Sequence, residues 1–361
     1  MKTYKKLFEK YISDENILLS LRTAKRGDKA KRTKKRLVDM NENSDKWVDR
    51  IRQIASDFHN HDHTPKEIYD GIKRKKRTII VPSVIELVIQ HMQVNILKPI
   101  ILKGLYEHTY AAIPNRGAHL GKKVLEKWIK NDRKNTKYCL KVDVRHFFES
   151  IDKHILKCML ARKINDSRFL EQLYKIIDVT ENGLPLGYYT SQWYANWYLQ
   201  EFDHFVKQEL SARYYMRYMD DMIILGSNKR MLRKMLYHIK EYLENNLKLA
   251  LKDNIRIFAV GSDDASCIDF MGFRFYSNRT TLRRSIMMKA SRKAKLLYKK
   301  DSLTVHDARQ MLAYLGWLSC TDTYQMYSRH IKPYVSFGAL RKIISKHDRR
   351  VNKNVLQNRK C

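Results

Sequence analysis

Asp220 and Asp221 are adjacent acids in the stretch Arg213 to Gly226, with apolar and aromatic residues on both sides. The flanks read as two strands, Tyr214 to Tyr218 and Met222 to Leu225, so the acids fall at the tip of a hairpin. Neighbouring carboxylates at a tight turn repel each other and gain nothing from a core. A divalent cation removes that penalty, and Mg²⁺ prefers carboxylate oxygen. The plain alternative is an acidic surface turn. A third acid, Asp143, interrupts an apolar run, Tyr138 to Val144, that reads as a strand. An acid there is costly unless paired or metal-bound; a salt bridge to a nearby Lys or Arg is the alternative. Three carboxylates on two elements could hold two divalent ions, about 3.5–4 Å apart, for in-line phosphoryl transfer. Positioning and charge stabilisation are most of what that reaction needs.

The surrounding chain bounds the possibilities. Its 361 residues suffice for two or three subdomains, and 43% hydrophobic content excludes a disordered chain. The formal net charge of +34 comes from 72 Lys+Arg against 38 Asp+Glu, spread along the whole length. That field attracts polyanions, with nucleic acid first and a membrane surface second. No apolar run is expected to reach the roughly 18 residues of a spanning helix. Met1-Lys-Thr-Tyr-Lys-Lys6 lacks an apolar signal core. The five cysteines are scattered without a Cys-x-x-Cys pair, which argues against zinc sites and disulfides and for a reducing cytoplasm.

In chain order, residues 1–60 read as a basic helical extension. Arg22 to Arg36, around Gly27, is either an arm for RNA phosphates or a solvated linker. Lys73 to Pro82 reads as a basic stretch entering a strand over Thr78 to Val81, able to clamp a triphosphate or to serve as a plain edge. Ser83 to Leu97 has one helical apolar face, and Pro99 should end it. Tyr110 to His119 is a loop entering a helix near Ala118. Asp152 looks like a helix N-cap. Gly183 to Gln192 is a turn-rich loop feeding a helix from Ser191 to Leu210, and Gly187 permits close backbone approach. Met231 to Leu247 is an amphipathic helix, and Phe270 to Tyr276 a short strand. From Leu282 onward, basic helices with interleaved tyrosines suit a duplex backbone or exposed bases, or are solvated faces.

These motifs, in this order, resemble those of a prokaryotic reverse transcriptase over about residues 70–335. Asp143 with Phe147-Phe148 looks like the first palm motif, and Gly183-Leu-Pro-Leu-Gly187 like the second. Tyr218-Met-Asp-Asp221 resembles the catalytic hairpin, and Phe270-Met-Gly-Phe273 the primer grip. Arg77, Ile80-Val81-Pro82, Gln90, Pro99 and Tyr110 to Gly117 are similar to the fingers of group II intron-like enzymes.

The resemblance implies an α+β right-hand polymerase. Its fingers would span 61–135, its palm 136–281 as an antiparallel sheet backed by helices, and its helical thumb 282–361. It implies Asp143, Asp220 and Asp221 as catalytic metal ligands, helped by the Val144 carbonyl, with two Mg²⁺ ions or Mn²⁺ as substitute. It implies Lys75, Arg77, Phe148, Leu186, Gly187 and Gln192 at the incoming dNTP, with Phe148 as an aromatic gate against a ribose 2′-hydroxyl. It implies Arg116, Tyr218, Met219, Phe270 and Gly272 at template and primer. The partners implied are a template RNA, its RNA/DNA hybrid and dNTPs, with no membrane.

The chain departs from most relatives where Leu186 replaces the Gln of Pro-Gln-Gly. Leu186-Gly-Tyr-Tyr-Thr-Ser-Gln192 resembles the enzymes of diversity-generating retroelements, which misincorporate opposite adenine and work with a small basic accessory protein. Phage and bacterial defence enzymes share much of the pattern. A non-enzymatic, maturase-like RNA binder is the reading of another class. The lysine that relatives carry near Ile255 is missing; Lys252 and Arg256 are candidate substitutes, and the general acid stays unassigned.

Overall fold

The computed structural model describes residues 3–26, 31–57, 63–70, 75–264 and 266–357. The chain divides into two compact units: 1–117 with 138–257, and 118–137 with 258–361. The boundary after Gly117 falls inside the stretch expected as fingers.

The first unit opens on helices α1 (Leu7–Tyr11), α2 (Asp14–Ala24), α3 (Lys31–Glu42) and α4 (Ser44–Ser56). Their apolar faces, including Leu7, Phe8, Tyr11, Ile17, Leu21 and Ile51, join the main core. The extension is therefore built into the domain. Its expected arm lies partly outside the described residues, at 27–30. β1 (His63–Asp70) and β2 (Lys75–Pro82) form an antiparallel hairpin. Helix α5 (Val84–Gly104) follows, with the Ser83 hydroxyl accepting from the Glu86 N–H at 3.2 Å.

α5 corrects two expectations. Pro99 lies inside it rather than at its end. Buried Ile100 and Ile101 continue its core face beyond the proline, and that burial outweighs the lost backbone bond. α5 is also long and apolar enough, by length and composition, to cross a membrane; 61% of its most apolar window is buried within the fold. Among the described residues no other helix meets that test.

A four-stranded sheet combines β3 (Tyr138–Asp143), β4 (Tyr214–Tyr218), β5 (Asp221–Gly226) and β6 (Arg256–Ala259) in the order β4-β5-β3-β6. β5 pairs antiparallel with both β3 and β4. Around the sheet run α7 (Phe147–Ser150), α8 (Lys153–Lys163), α9 (Ser167–Ile177), α10 (Tyr189–Tyr198), α11 (Gln200–Gln208) and α12 (Lys229–Leu247). Asp152 caps α8 as expected, accepting from the Ile155 N–H at 2.9 Å. The single helix expected over 191–210 is two, separated at Leu199.

In the second unit, α6 (Ala118–Asn131) accompanies a three-stranded sheet of β7 (Ile268–Phe270), β8 (Phe273–Phe275) and β9 (Thr280–Leu282). The one strand expected over Phe270 to Tyr276 is thus a hairpin. Met271 (φ 52°) and Gly272 (φ 86°) both take left-handed backbone, which folds the chain back between Phe270 and Phe273. Helices α13 (Arg284–Tyr298), α14 (Val305–Leu318), α15 (Tyr324–His330) and α16 (Phe337–Gln357) complete this unit. Thr304 and Asp307 close a reciprocal capping box at the start of α14.

Candidate active site

The register of β3 against β5 brings the acids together. Asp143, the last residue of β3, is the Cα partner of Asp221, the first of β5. Asp220 occupies the turn between β4 and β5, and its carbonyl accepts from the Val144 N–H at 3.3 Å. Met219 holds this turn in left-handed backbone, φ 60°. Val144 also bridges Leu251, and the Lys252 N–H donates to the Asp143 carbonyl at 2.8 Å. The chain's third pass beside the acids is thereby tied to the first.

The carboxylates meet lysines here. Lys252 Nζ lies 2.6 Å from Asp143 Oδ1, and Lys141 Nζ lies 3.2 Å from Asp221 Oδ2. The salt bridge weighed for Asp143 therefore exists. Among the described residues no group of three or more His, Cys, Asp or Glu side chains is placed to hold a metal ion, since lysines occupy two of the acids in this arrangement. Burial and the charge of Asp143 hold the Asp220 carboxyl above the usual range. Burial pushes Asp221 up to about 6; Lys141 opposes this and Asp143 reinforces it. Asp221 Oδ1 is buried without a hydrogen-bond partner. A partnerless carboxylate oxygen is the kind of donor a hard divalent cation takes.

The proposed nucleotide residues gather in the same unit. Phe148, Leu186, Gly187 and Gln192 line one cavity of about 320 Å³, together with His91 and Tyr189. The Phe148 carbonyl accepts from the Leu184 N–H at 2.7 Å, fixing the two motifs to each other. The Leu186 carbonyl accepts from the Ile80 N–H at 2.6 Å, which attaches β2 to the same loop. Gly187 (φ 105°) lies so close to this strand that a Cβ would sit 2.5 Å from the Ile80 carbonyl oxygen. The exposed Arg77 stands on β2 opposite Ile68. Lys75 pairs with Asp70 in the ladder, and its side chain lies outside the described residues.

The residues expected at template and primer are dispersed along the chain. Tyr218 is the β4 partner of Asp221. Arg116 spends one guanidinium nitrogen on the Tyr106 carbonyl at 2.9 Å. Phe270 is fully buried in the second unit, beside the Met271-Gly272 turn.

Arg217 and Asp203, absent from the motifs above, form an ion pair whose side chains are both 0% exposed. Burial works against the Arg217 charge, and Asp203 more than offsets it. The signal was available: a cation inside an apolar strand, and an acid between Phe202 and Val206 on the buried face of α11. Of the candidate substitutes for the missing lysine, Lys252 bonds to Asp143 at 2.6 Å.

Three comparisons with known proteins identify what the chain is similar to. Residues 61–275 match the family model described as reverse transcriptase (RNA-dependent DNA polymerase). The retron Ec73 reverse transcriptase of Escherichia coli is 25% identical over 276 residues, covering 72% of this chain and 84% of that protein. Apo telomerase from Candida tropicalis, truncated from its C-terminal domain, matches with TM-score 0.46 and 12% identity, over 68% of this chain and 60% of that one. Telomerase from Candida albicans, in complex with a fragment of telomeric RNA, matches with TM-score 0.44 and 11% identity, over 81% and 61%. The chain thus spans about three fifths of these telomerase chains. Its α+β architecture is that of a right-hand polymerase, and the chain belongs to the reverse transcriptase family of RNA-dependent DNA polymerases.

Proposed function

We propose that the chain copies an RNA template into DNA, extending a primer 3′-hydroxyl with dNTPs. The observation that carries this reading is the pairing of Asp143 with Asp221 across β3 and β5, with Asp220 at the adjoining turn. Asp143, Asp220, Asp221 and the Val144 carbonyl would hold divalent ions, with two Mg²⁺ as the expected pair and Mn²⁺ as substitute. Bound there, such ions would supply a lowered pKa for a primer hydroxyl and charge neutralisation for the triphosphate.

The chain's own residues supply orientation and charge. Lys141 and Lys252 balance the half-buried carboxylates of Asp221 and Asp143. Leu186 and Gly187 form one wall of the nucleotide site and Phe148 another, where its ring would meet a ribose 2′-hydroxyl. Lys75 and Arg77, on the strand fixed to Leu186, would meet the triphosphate. Arg116, Tyr218, Met219, Phe270 and Gly272 are proposed for template and primer. In this assignment 1–60 is an extension, 61–135 the fingers, 136–281 the palm and 282–361 the thumb.

Two settings suit this chemistry. The Leu186-Gly187 pattern favours error-prone synthesis in a diversity-generating retroelement, with an accessory protein. The retron relative favours a bacterial or phage enzyme of the defence-associated kind, acting in the cytoplasm. Primer extension on a defined RNA template, comparing dNTPs with NTPs, tests the activity. Synthesis from dNTPs that disappears in Asp220→Ala/Asp221→Ala is the expected result. RNA binding without synthesis would leave the maturase-like reading.

A further inference from the structure

Arg217 lies two residues before Met219 and three before Asp220, on the strand that leads into the acidic turn. Its side chain is wholly buried. Nε donates to both Asp203 oxygens, at 2.8 and 3.0 Å, and Nη2 to Oδ2 at 2.6 Å. Nη1 turns the other way, to Asn196 Oδ1 at 3.2 Å and to the Met219 carbonyl at 3.1 Å. Asp203 is fixed in turn by the Tyr215 hydroxyl at 2.7 Å. The Arg217 main chain is held as well: its N–H donates to the His108 carbonyl, and its carbonyl accepts from the Tyr110 N–H.

We infer that the Arg217–Asp203 pair is a positioning device for the catalytic turn, holding the Met219 carbonyl so that Asp220 and Asp221 are presented together. The inference rests on the polymerase reading of that turn. Met219 has left-handed backbone, which a bulky residue occupies only at a cost. The two acids beyond it repel, so the turn needs an outside hold. A buried ion pair is a poor way to gain stability, since apolar residues of similar volume commonly serve as well. What apolar residues cannot do is donate to a carbonyl from a rigid fork. The pair is neutral as a whole, so it acts through geometry rather than through its field. Asn196 and Tyr215 complete the brace from α10 and β4.

The test uses the full chain in three variants. Arg217→Met/Asp203→Leu replaces the pair by apolar volume. Arg217→Lys keeps the charge without the fork. Val206→Ala, a buried deletion on the Asp203 helix, controls for simple destabilisation. The readouts are kcat and KM for dNTP, the Mg²⁺ concentration for half-maximal rate, and hydrogen exchange of amides 219–222. We expect the folded double variant and Arg217→Lys to turn over about 10²-fold slower, as a displaced reacting group does. Their KM should stay within about threefold, with a raised Mg²⁺ requirement and faster exchange at the turn. Val206→Ala should lower the urea midpoint and leave kcat near wild type. Wild-type kcat and exchange in either Arg217 variant, or an equal kcat loss in Val206→Ala, overturns the inference. If the double variant does not fold, Arg217→Lys decides alone. Wild-type protein that makes no DNA on RNA refutes the polymerase reading, and the exchange measurement still decides whether Arg217 holds the turn.

Discussion

Asp143 faces Asp221 across the β3–β5 ladder, and each carries a lysine: Lys252 on the first, Lys141 on the second. A strand end and a hairpin turn, distant in sequence, thus become one acidic site with built-in counter-charges. That relationship sets the first two expectations.

Single replacement of Asp143, Asp220 or Asp221 by Ala should lower primer extension by about 10³-fold or more, as loss of a transition-state charge partner does. Circular dichroism should stay native, because none of the three is needed to fill the core. An Asp220→Ala enzyme retaining a tenth of wild-type rate would remove that residue from the catalytic set.

Asp221 also predicts a pH dependence without divalent ions. Its carboxyl ionises near 6 in the folded chain, against a reference of 3.8. Between those values the unfolded chain gives up its proton first, so stability falls as pH rises through the window. The loss is complete above about pH 6 and amounts to about 2–3 kcal/mol. Asp221→Asn should therefore melt higher than wild type at pH 7.5 in EDTA, with the gap closing toward pH 4. A gap that widens in acid contradicts this assignment.

Gly187→Ala tests the attachment of β2. A Cβ there meets the Ile80 carbonyl at 2.5 Å and carries a φ of 105°. The cost should be about 1–3 kcal/mol of local strain. With Arg77 displaced, KM for dNTP should rise more than kcat falls. Unchanged KM would separate the hairpin from nucleotide binding.

Phe148→Ala should admit ribonucleotides. Removing the ring opens the cavity wall beside Leu186. Selectivity for dNTP over NTP should fall by about tenfold or more, the scale of a lost steric contact. Undiminished selectivity would place the sugar gate elsewhere.

Leu186→Gln concerns fidelity. A branched apolar side chain cannot hydrogen-bond an incoming nucleotide, and glutamine can. Sequenced cDNA from a defined template should show fewer errors opposite adenine in the variant. Equal error spectra would sever the link between this position and accuracy.

Much of this was legible in the residues because it is local. Tyr214 to Gly226 announces its hairpin by apolar and aromatic flanks around two adjacent acids, and Asp152 announces a cap by its place at the turn before the next helix. Asp143 stood out because a lone acid in an apolar strand demands a partner. Arg217, a cation inside the strand Tyr214–Tyr218, makes the same demand.

Other features had no local signal. Pro99 continues a helix because buried residues beyond it repay the break, and only packing shows that they are buried. The Met271-Gly272 turn splits a run whose composition reads as one strand. Chain chemistry by itself singled out the candidates for metal, nucleotide and nucleic acid, because such capacities belong to side-chain types and spacings. Tertiary structure alone decided which of them meet. Ladder register sets Asp143 against Asp221, a backbone bond ties Ile80 to Leu186, and burial makes Arg217 depend on Asp203. Each is a contact between remote segments, and such contacts follow from how the core closes rather than from neighbouring residues.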